Sequence, residues 1–371
     1  MLSPLLSELT LSAFSGSYGD ARTAFQAAVS ALDIPLFFHT LHYAGAGPDG
    51  EALATDLVWL GDQEASKVVV LLSAVHGVEG FAGSAIQVDL LRRLAAGEVS
   101  LPDGLAVLMV HGVNPWGFAW CRRCDEQGID VNRNFVDFSQ PLPANPGYRE
   151  LANALIPANA DWEQGNARLA AYFQQHGQYD YEVAVSGGQY EFSDGLFYGG
   201  TGLSQARRNM EWVLEHWDWS QRDVAVIDLH TGLGPYGYGE LICDHPLDSA
   251  GLATAQHWFG ASVTIPASGD SCSVPKLGLV DYAWHNRLGD NSCYVTLEYG
   301  TFPIAGLLQT LREDHALNKP GDVDWHDSRR QAVRDRLLRH FYPAEPQWQT
   351  LVLLRARQVV QLACAGLMQP R

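Results

Sequence analysis

Residues 68–75 read Val-Val-Val-Leu-Leu-Ser-Ala-Val, an apolar run broken only by Ser73. A run of this length and Val content predicts a strand buried on both faces. It ends abruptly at His76-Gly77-Val78-Glu79-Gly80, and a helical period begins near Phe81, carried by Ala85, Ile86, Val88, Leu91 and Leu94. After the turn Pro102-Asp-Gly a second apolar strand covers 105–111. Strand, helix and strand in this order predict a βαβ unit with a parallel pair.

The flanking segments extend the pattern. Residues 17–32 predict a helix capped by Ser17, with Ala21, Phe25, Ala28 and Leu32 on one stripe. Alternating runs at 36–43 and 53–60 predict two strands joined by a Gly- and Pro-rich turn. Further strands are expected at 224–230, 239–244 and 293–298, and helices at 148–155, 167–175, 203–217, 252–259, 304–316, 322–341 and 347–367. The expected architecture is α/β: a mixed, mostly parallel central sheet with helices on both faces. No repeat or composition break divides it, so residues 1–371 are read as a single domain. Within it, 136–200 reads as an insertion covering the site, and 303–367 as helices covering the sheet.

Composition narrows the function. A formal net charge of −18 sets nucleic acid aside, because a phosphate binder needs a basic patch. No apolar run approaches the ~20 residues of a membrane span, and the N-terminal residues lack the pattern of a secretion signal. Six cysteines in 371 residues do not make a disulfide framework. The expectation is a cytoplasmic protein with reduced thiols. Cys121-Arg-Arg-Cys124 has no second Cys pair to complete a structural metal site, and it does not open a helix in a thioredoxin-like unit.

Candidate chemistry lies where the buried strands end. His76 and Glu79 follow the first, His230 ends the strand at 224–230, and Glu298 ends the strand at 293–298. In open α/β sheets that edge is where ligands bind. Two imidazoles and a carboxylate make a three-ligand zinc site with a position left open. Glu298 is then left as a base, since a Glu in an apolar strand is disfavoured unless partnered. The competing reading of His76 and Glu79 is a helix start with an acid in its first turn. Between these strands, 112–135 is a long loop that concentrates Arg122, Arg123 and Arg133 in an acidic chain.

These segments together resemble the zinc carboxypeptidase superfamily, which includes the metallocarboxypeptidases and aspartoacylase-like deacylases. The resemblance rests on His76-Gly-Val-Glu79, Asn114-Pro-Trp-Gly-Phe, Asp130-Val-Asn132-Arg133-Asn-Phe, Asp228-Leu-His230 and Thr296-Leu-Glu298, in the family's order. It is nearest to an uncharacterised bacterial branch and implies the phosphorylase/hydrolase-like fold. It also implies one Zn²⁺ per chain on His76, Glu79 and His230, with Glu298 as general base. Arg123 matches the oxyanion-stabilising arginine, with Arg122 as fallback. Asn132 and Arg133 would hold a substrate carboxylate, and Asp281 would line the side-chain pocket. The implied partner is a small peptide or an N-acyl amino acid, and the activity amide hydrolysis by a carboxypeptidase-like peptidase or an aspartoacylase-like deacylase. A non-catalytic zinc or ligand-binding module is the reading of another class. One departure stands out: Thr264-Ile-Pro-Ala-Ser-Gly269 lacks the family's mobile tyrosine, leaving Tyr282, Tyr236 or no residue in its place.

Overall fold

The computed structural model describes residues 11–158, 160–318 and 324–369. Its strands are β1 (Leu36–Ala46), β2 (Ala52–Leu60), β3 (Lys67–Ser73), β4 (Leu105–His111), β5 (Asp223–Thr231), β6 (Gly239–Ile242), β7 (Val263–Thr264) and β8 (Cys293–Tyr299). They form one sheet in the order β1-β2-β4-β3-β5-β8-β6-β7. The central strands β4, β3, β5 and β8 are parallel. β2 pairs antiparallel with β4 and with β1, and β6 antiparallel with β8. The sheet is therefore mixed with a parallel centre, as the strand–helix alternation predicts.

β3 owes its place to composition. Val68 through Leu72 have no exposed surface, consistent with a strand flanked by β4 and β5 and covered on both faces. The helix Gly80–Ala95 lies directly on it. A Cβ at Gly83 would sit 2.7 Å from the Ser73 Cβ and 3.3 Å from that of Leu229, so only glycine permits this approach. Because side chains alternate along β5, Asp228 and His230 face the other side, away from Leu229. There the short helix Val280–His285 packs against β8.

Pro346–Leu367 is long and apolar enough to span a membrane by composition alone. In the fold it lies against Gly80–Ala95, Ala250–Phe259, β3 and β5, with Trp348, Val352, Leu353, Val359 and Ala363 fully buried. Its Arg357 forms a two-point ion pair with Asp89 of Gly80–Ala95. A second apolar cluster stands beside the sheet core, built from Pro146–Leu155, Trp162–Ser186, Ile304–Leu317 and Ser328–Phe341.

Some boundaries differ from the sequence reading. β3 stops at Ser73 because Ala74 takes a φ of +61°, a left-handed turn that ends the ladder. The helix expected at 167–175 is part of Trp162–Ser186, which continues past a kink at Gly177. The helix expected from 322 begins at Ser328, where the Asp327 side chain accepts the Arg329 N–H; residue 322 itself lies outside the described residues.

Candidate metal centre

The parallel register brings the strand ends together. His230 and Glu298 are paired positions on β5 and β8. Past the left-handed Ala74, His76 leads into a short 3₁₀ turn, Gly77–Glu79. The loop after β4 crosses that turn at backbone contact: the Gly77 and Val78 N–H groups donate to the Arg123 and Arg122 carbonyls. A Cβ at Gly77 would lie 2.0 Å from the Gly117 carbonyl carbon, so this crossing requires glycine.

His76, Glu79 and His230 are all buried, and one ligand atom from each lies within 4.8 Å of the others. The His76 and His230 Nδ1 atoms are 3.1 Å apart. Glu79 Oε1 is 2.9 Å from His76 Nδ1, and its Oε2 is 3.0 Å from His230 Nδ1. The other nitrogens differ: His230 Nε2 is 2.6 Å from Asp228, whereas His76 Nε2 has the Arg123 guanidinium at 2.7 Å and Asp130 at 3.2 Å. A carboxylate behind a metal-ligating histidine fixes the tautomer so that the inward nitrogen carries the lone pair, and His230 shows this arrangement. The Tyr294 hydroxyl also donates to Asp228 at 2.7 Å. Burial pushes the Glu79 carboxyl up, but His76 and His230 outweigh it and hold it below the ordinary range.

Glu298 adjoins this group. Burial first, and the Glu79 charge second, push its carboxyl up to about 8. Its Oε1 accepts the Leu233 N–H at 2.9 Å. Arg123 donates to Glu79 at 3.1 Å and to Asp130 at 3.0 Å, and lies over the Phe197 ring. Arg133 lies over the same ring, with its NH2 group donating to the Ser186 carbonyl and its buried Nε left without a partner. Asn132 uses its side-chain oxygen to accept the Val280 N–H.

Every candidate site residue read from the sequence except Arg122 lines one cavity of about 1430 Å³. Arg122 must be corrected. Its guanidinium is buried in two-point contact with Asp314, between Trp116 and Trp325, and it does not line the cavity. Asp281 does line the cavity. Burial and then Asp244 push its carboxyl well up, and its Oδ1 has no partner. Asp244 and Lys276 share that polar recess. Burial raises the Asp244 carboxyl to about 6, and burial followed by the Arg133 charge brings the Lys276 ammonium down to about 7. Of the two tyrosines, Tyr282 donates to the Lys276 carbonyl and does not line the cavity, whereas Tyr236 does and donates to Glu345.

The sequence reading gave no role to several of these residues. Asp228 was findable, because it lies two positions before His230 and so on the same strand face. Phe197, with φ of +54°, and Lys276 carry no local signal, since the tertiary fold alone sets them beside Arg133.

Several solved structures resemble the chain at low identity. Bovine thrombin-activatable fibrinolysis inhibitor in complex with tick carboxypeptidase inhibitor is 11% identical with a TM-score of 0.45, the match covering 95% of this chain and 99% of that one. Succinylglutamate desuccinylase from Chromobacterium violaceum is 16% identical with a TM-score of 0.37, covering 81% and 79%. An aspartoacylase family protein from Mesorhizobium loti is 14% identical with a TM-score of 0.38, covering 79% and 70%. No curated protein matches the sequence. The chain belongs to the family described as protein of unknown function DUF2817, which matches residues 14–355.

Proposed function

We propose that this protein is a zinc-dependent hydrolase of the carboxypeptidase and aspartoacylase type, cleaving an amide in a small substrate with a free carboxylate. The observation that carries this reading is the buried pair of imidazoles whose Nδ1 atoms both face Glu79, with His230 Nε2 backed by Asp228. Zinc takes such a nitrogen and oxygen set, and His76, Glu79 and His230 would hold one ion per chain. When bound, the ion polarises a carbonyl and lowers the pKa of water to about 7.

The chain's own residues supply the rest. Glu298 is fixed through Oε1 by Leu233 and has Oε2 left to take a proton from attacking water and pass it to the leaving nitrogen. The Glu79 charge that helps raise its carboxyl is neutralised once the group holds a cation. Arg123, held by Glu79 and Asp130, is preorganised for the oxyanion. Arg133 and Asn132 receive the substrate carboxylate, for which a guanidinium fork is suited. Asp281 faces the substrate side chain from the polar recess. An N-acyl amino acid deacylase uses the same arrangement, and the shape of the rest of the cavity favours that version.

The test is metal content together with Glu298→Gln. Elemental mass spectrometry should find one zinc per chain in both proteins, and the variant should lose about 10²–10⁴ in rate on N-acyl amino acids and peptides. A variant with its zinc and full activity would sink the mechanism.

A further inference from the structure

The cavity is larger than a metal centre with a carboxylate anchor requires. Ligand pockets commonly enclose about 300–1,000 Å³, and this one encloses about 1430 Å³. The surplus lies between two helices. On Trp162–Ser186, Leu169 and Phe173 line it, four residues apart and on one face. On Ile304–Leu317, Leu307, Leu308 and Leu311 line it at helical spacing, while the same two helices also bring the polar Asn166, Gln178, Glu182, Gln309 and Arg312 to the cavity wall. Phe341 and Glu298 line the same cavity on either side of Gly232, where a Cβ would lie 2.9 Å from the Phe341 ring and 3.8 Å from Glu298 Oε1. The lobe is thus continuous with the candidate centre and borders Glu298.

Its mouth is unusual. Phe173, Phe302 and Ile304 remain 44%, 39% and 56% exposed, and all three line this one cavity. Exposed apolar side chains gathered at one opening mark a binding surface, whereas scattered ones do not. The other end of the cavity is polar, with Arg133, Lys276, Asp244 and Asp281. The two ends differ in the chemistry they accept, and the His–Glu–His group lines the cavity they share.

We propose that the lobe between Trp162–Ser186 and Ile304–Leu317 binds a long apolar acyl group, so that the substrate is an N-acyl amino acid with a medium or long acyl chain. The proposal rests on the hydrolase reading above, which puts the free carboxylate at Arg133. That orientation sends the amino-acid part to the polar recess and leaves the lobe for the acyl side. Cleavage adds water across the amide: the C–N bond breaks, the carbonyl carbon gains the water oxygen, and the nitrogen leaves with a proton. The products are a fatty acid and an amino acid.

The experiment uses N-acetyl-, N-hexanoyl- and N-decanoylglycine below their micelle concentrations. Dissociation constants are measured by calorimetry on the zinc-loaded Glu298→Gln protein, and kcat/KM on the wild type. Affinity should rise ~3–4-fold per added methylene until the lobe is full, following the transfer free energy of a CH₂ group. Phe173→Gln, at a half-exposed position that tolerates a polar side chain, should flatten the decanoyl-to-acetyl ratio. Leu308→Trp, which fills the lobe, should reverse it. A Glu298→Gln affinity independent of chain length overturns the acyl lobe while leaving the hydrolase reading intact if the wild type cleaves N-acetylglycine. A chain-length slope in binding with no turnover of any amide supports the lobe and overturns the hydrolase reading. No binding at any chain length overturns the lobe.

Discussion

The proposed metal role of His230 makes a prediction about what lies behind it. Its Nε2 donates to Asp228, which also accepts the Tyr294 hydroxyl, so the Nδ1 lone pair is the one turned inward. An Asn at 228 can present its amide N–H to Nε2 and select the other tautomer. Asp228→Asn should weaken zinc about 10–100-fold, as losses of a carboxylate behind a liganding histidine do. Competition with a fluorescent chelator measures this, and an unchanged affinity would refute the assigned tautomer. Lys276 makes a prediction about pH. Burial and Arg133 bring its folded pKa to about 7, against the ordinary lysine value of 10.5. Below 7 both folded and unfolded chains hold the proton. Between about 7 and 10.5 the unfolded chain holds it and the folded chain does not, so this group makes stability rise with pH across that window. Urea unfolding of wild type and Lys276→Met should give a stability difference that is flat below pH 7 and shifts in favour of the wild type above it. Parallel pH profiles would show that Lys276 stays charged in the folded protein.

At the scale of elements, Arg122 shows how a loop is locked to a distant helix. Its two-point contact with Asp314 ties the loop after β4 to Ile304–Leu317, one wall of the apolar lobe. Removing one partner of a buried pair leaves an uncompensated charge and typically costs about 3–5 kcal/mol. Arg122→Met should therefore lose about that much in urea unfolding, while its folded fraction still binds one zinc. A loss below ~1 kcal/mol would mean that water reaches Asp314. The sequence reading preferred Arg123 and kept Arg122 as fallback; the fold sets Arg123 at the cavity and Arg122 against Asp314. The buried strands were legible because β3 and β4 are nearly continuous apolar runs and β5 opens with one at 224–227. β7 was missed because two residues, Val263–Thr264, cannot show a period. Trp162–Ser186 was read only in part because Gly177, at φ of +84°, interrupts a polar stretch in its second half. The candidate ligands were legible because each follows or ends an apolar strand where the sheet geometry gathers such ends. The apolar lobe was not, since its two walls lie more than a hundred residues apart.

The whole molecule is a parallel-centred sheet whose β3 and β5 ends each contribute candidate metal ligands to one group. His76 and Glu79 come from the turn after β3 and His230 from the end of β5. The polypeptide alone brings two imidazole nitrogens within 3.1 Å and a carboxylate within 3.0 Å of both, all without bulk water. Desolvating such groups is unfavourable, and a cation on them offsets that cost. Occupancy and global stability are therefore linked, because the unfolded chain has no preformed site. A ligand that binds only the folded state stabilises it by RT ln(1 + [L]/Kd), about 4 kcal/mol at a thousandfold excess over Kd. Stripping the metal with a chelator should lower the urea midpoint accordingly, and adding zinc back should restore it. His76→Ala lacks one ligand, so chelator should shift its midpoint little. Equal wild-type midpoints with and without metal, once removal is verified by elemental analysis, would mean that the site is rigid at the expense of the rest of the fold. In that case β3 and β5 would hold the three ligands together by packing alone, and the ion would contribute chemistry without contributing to folding.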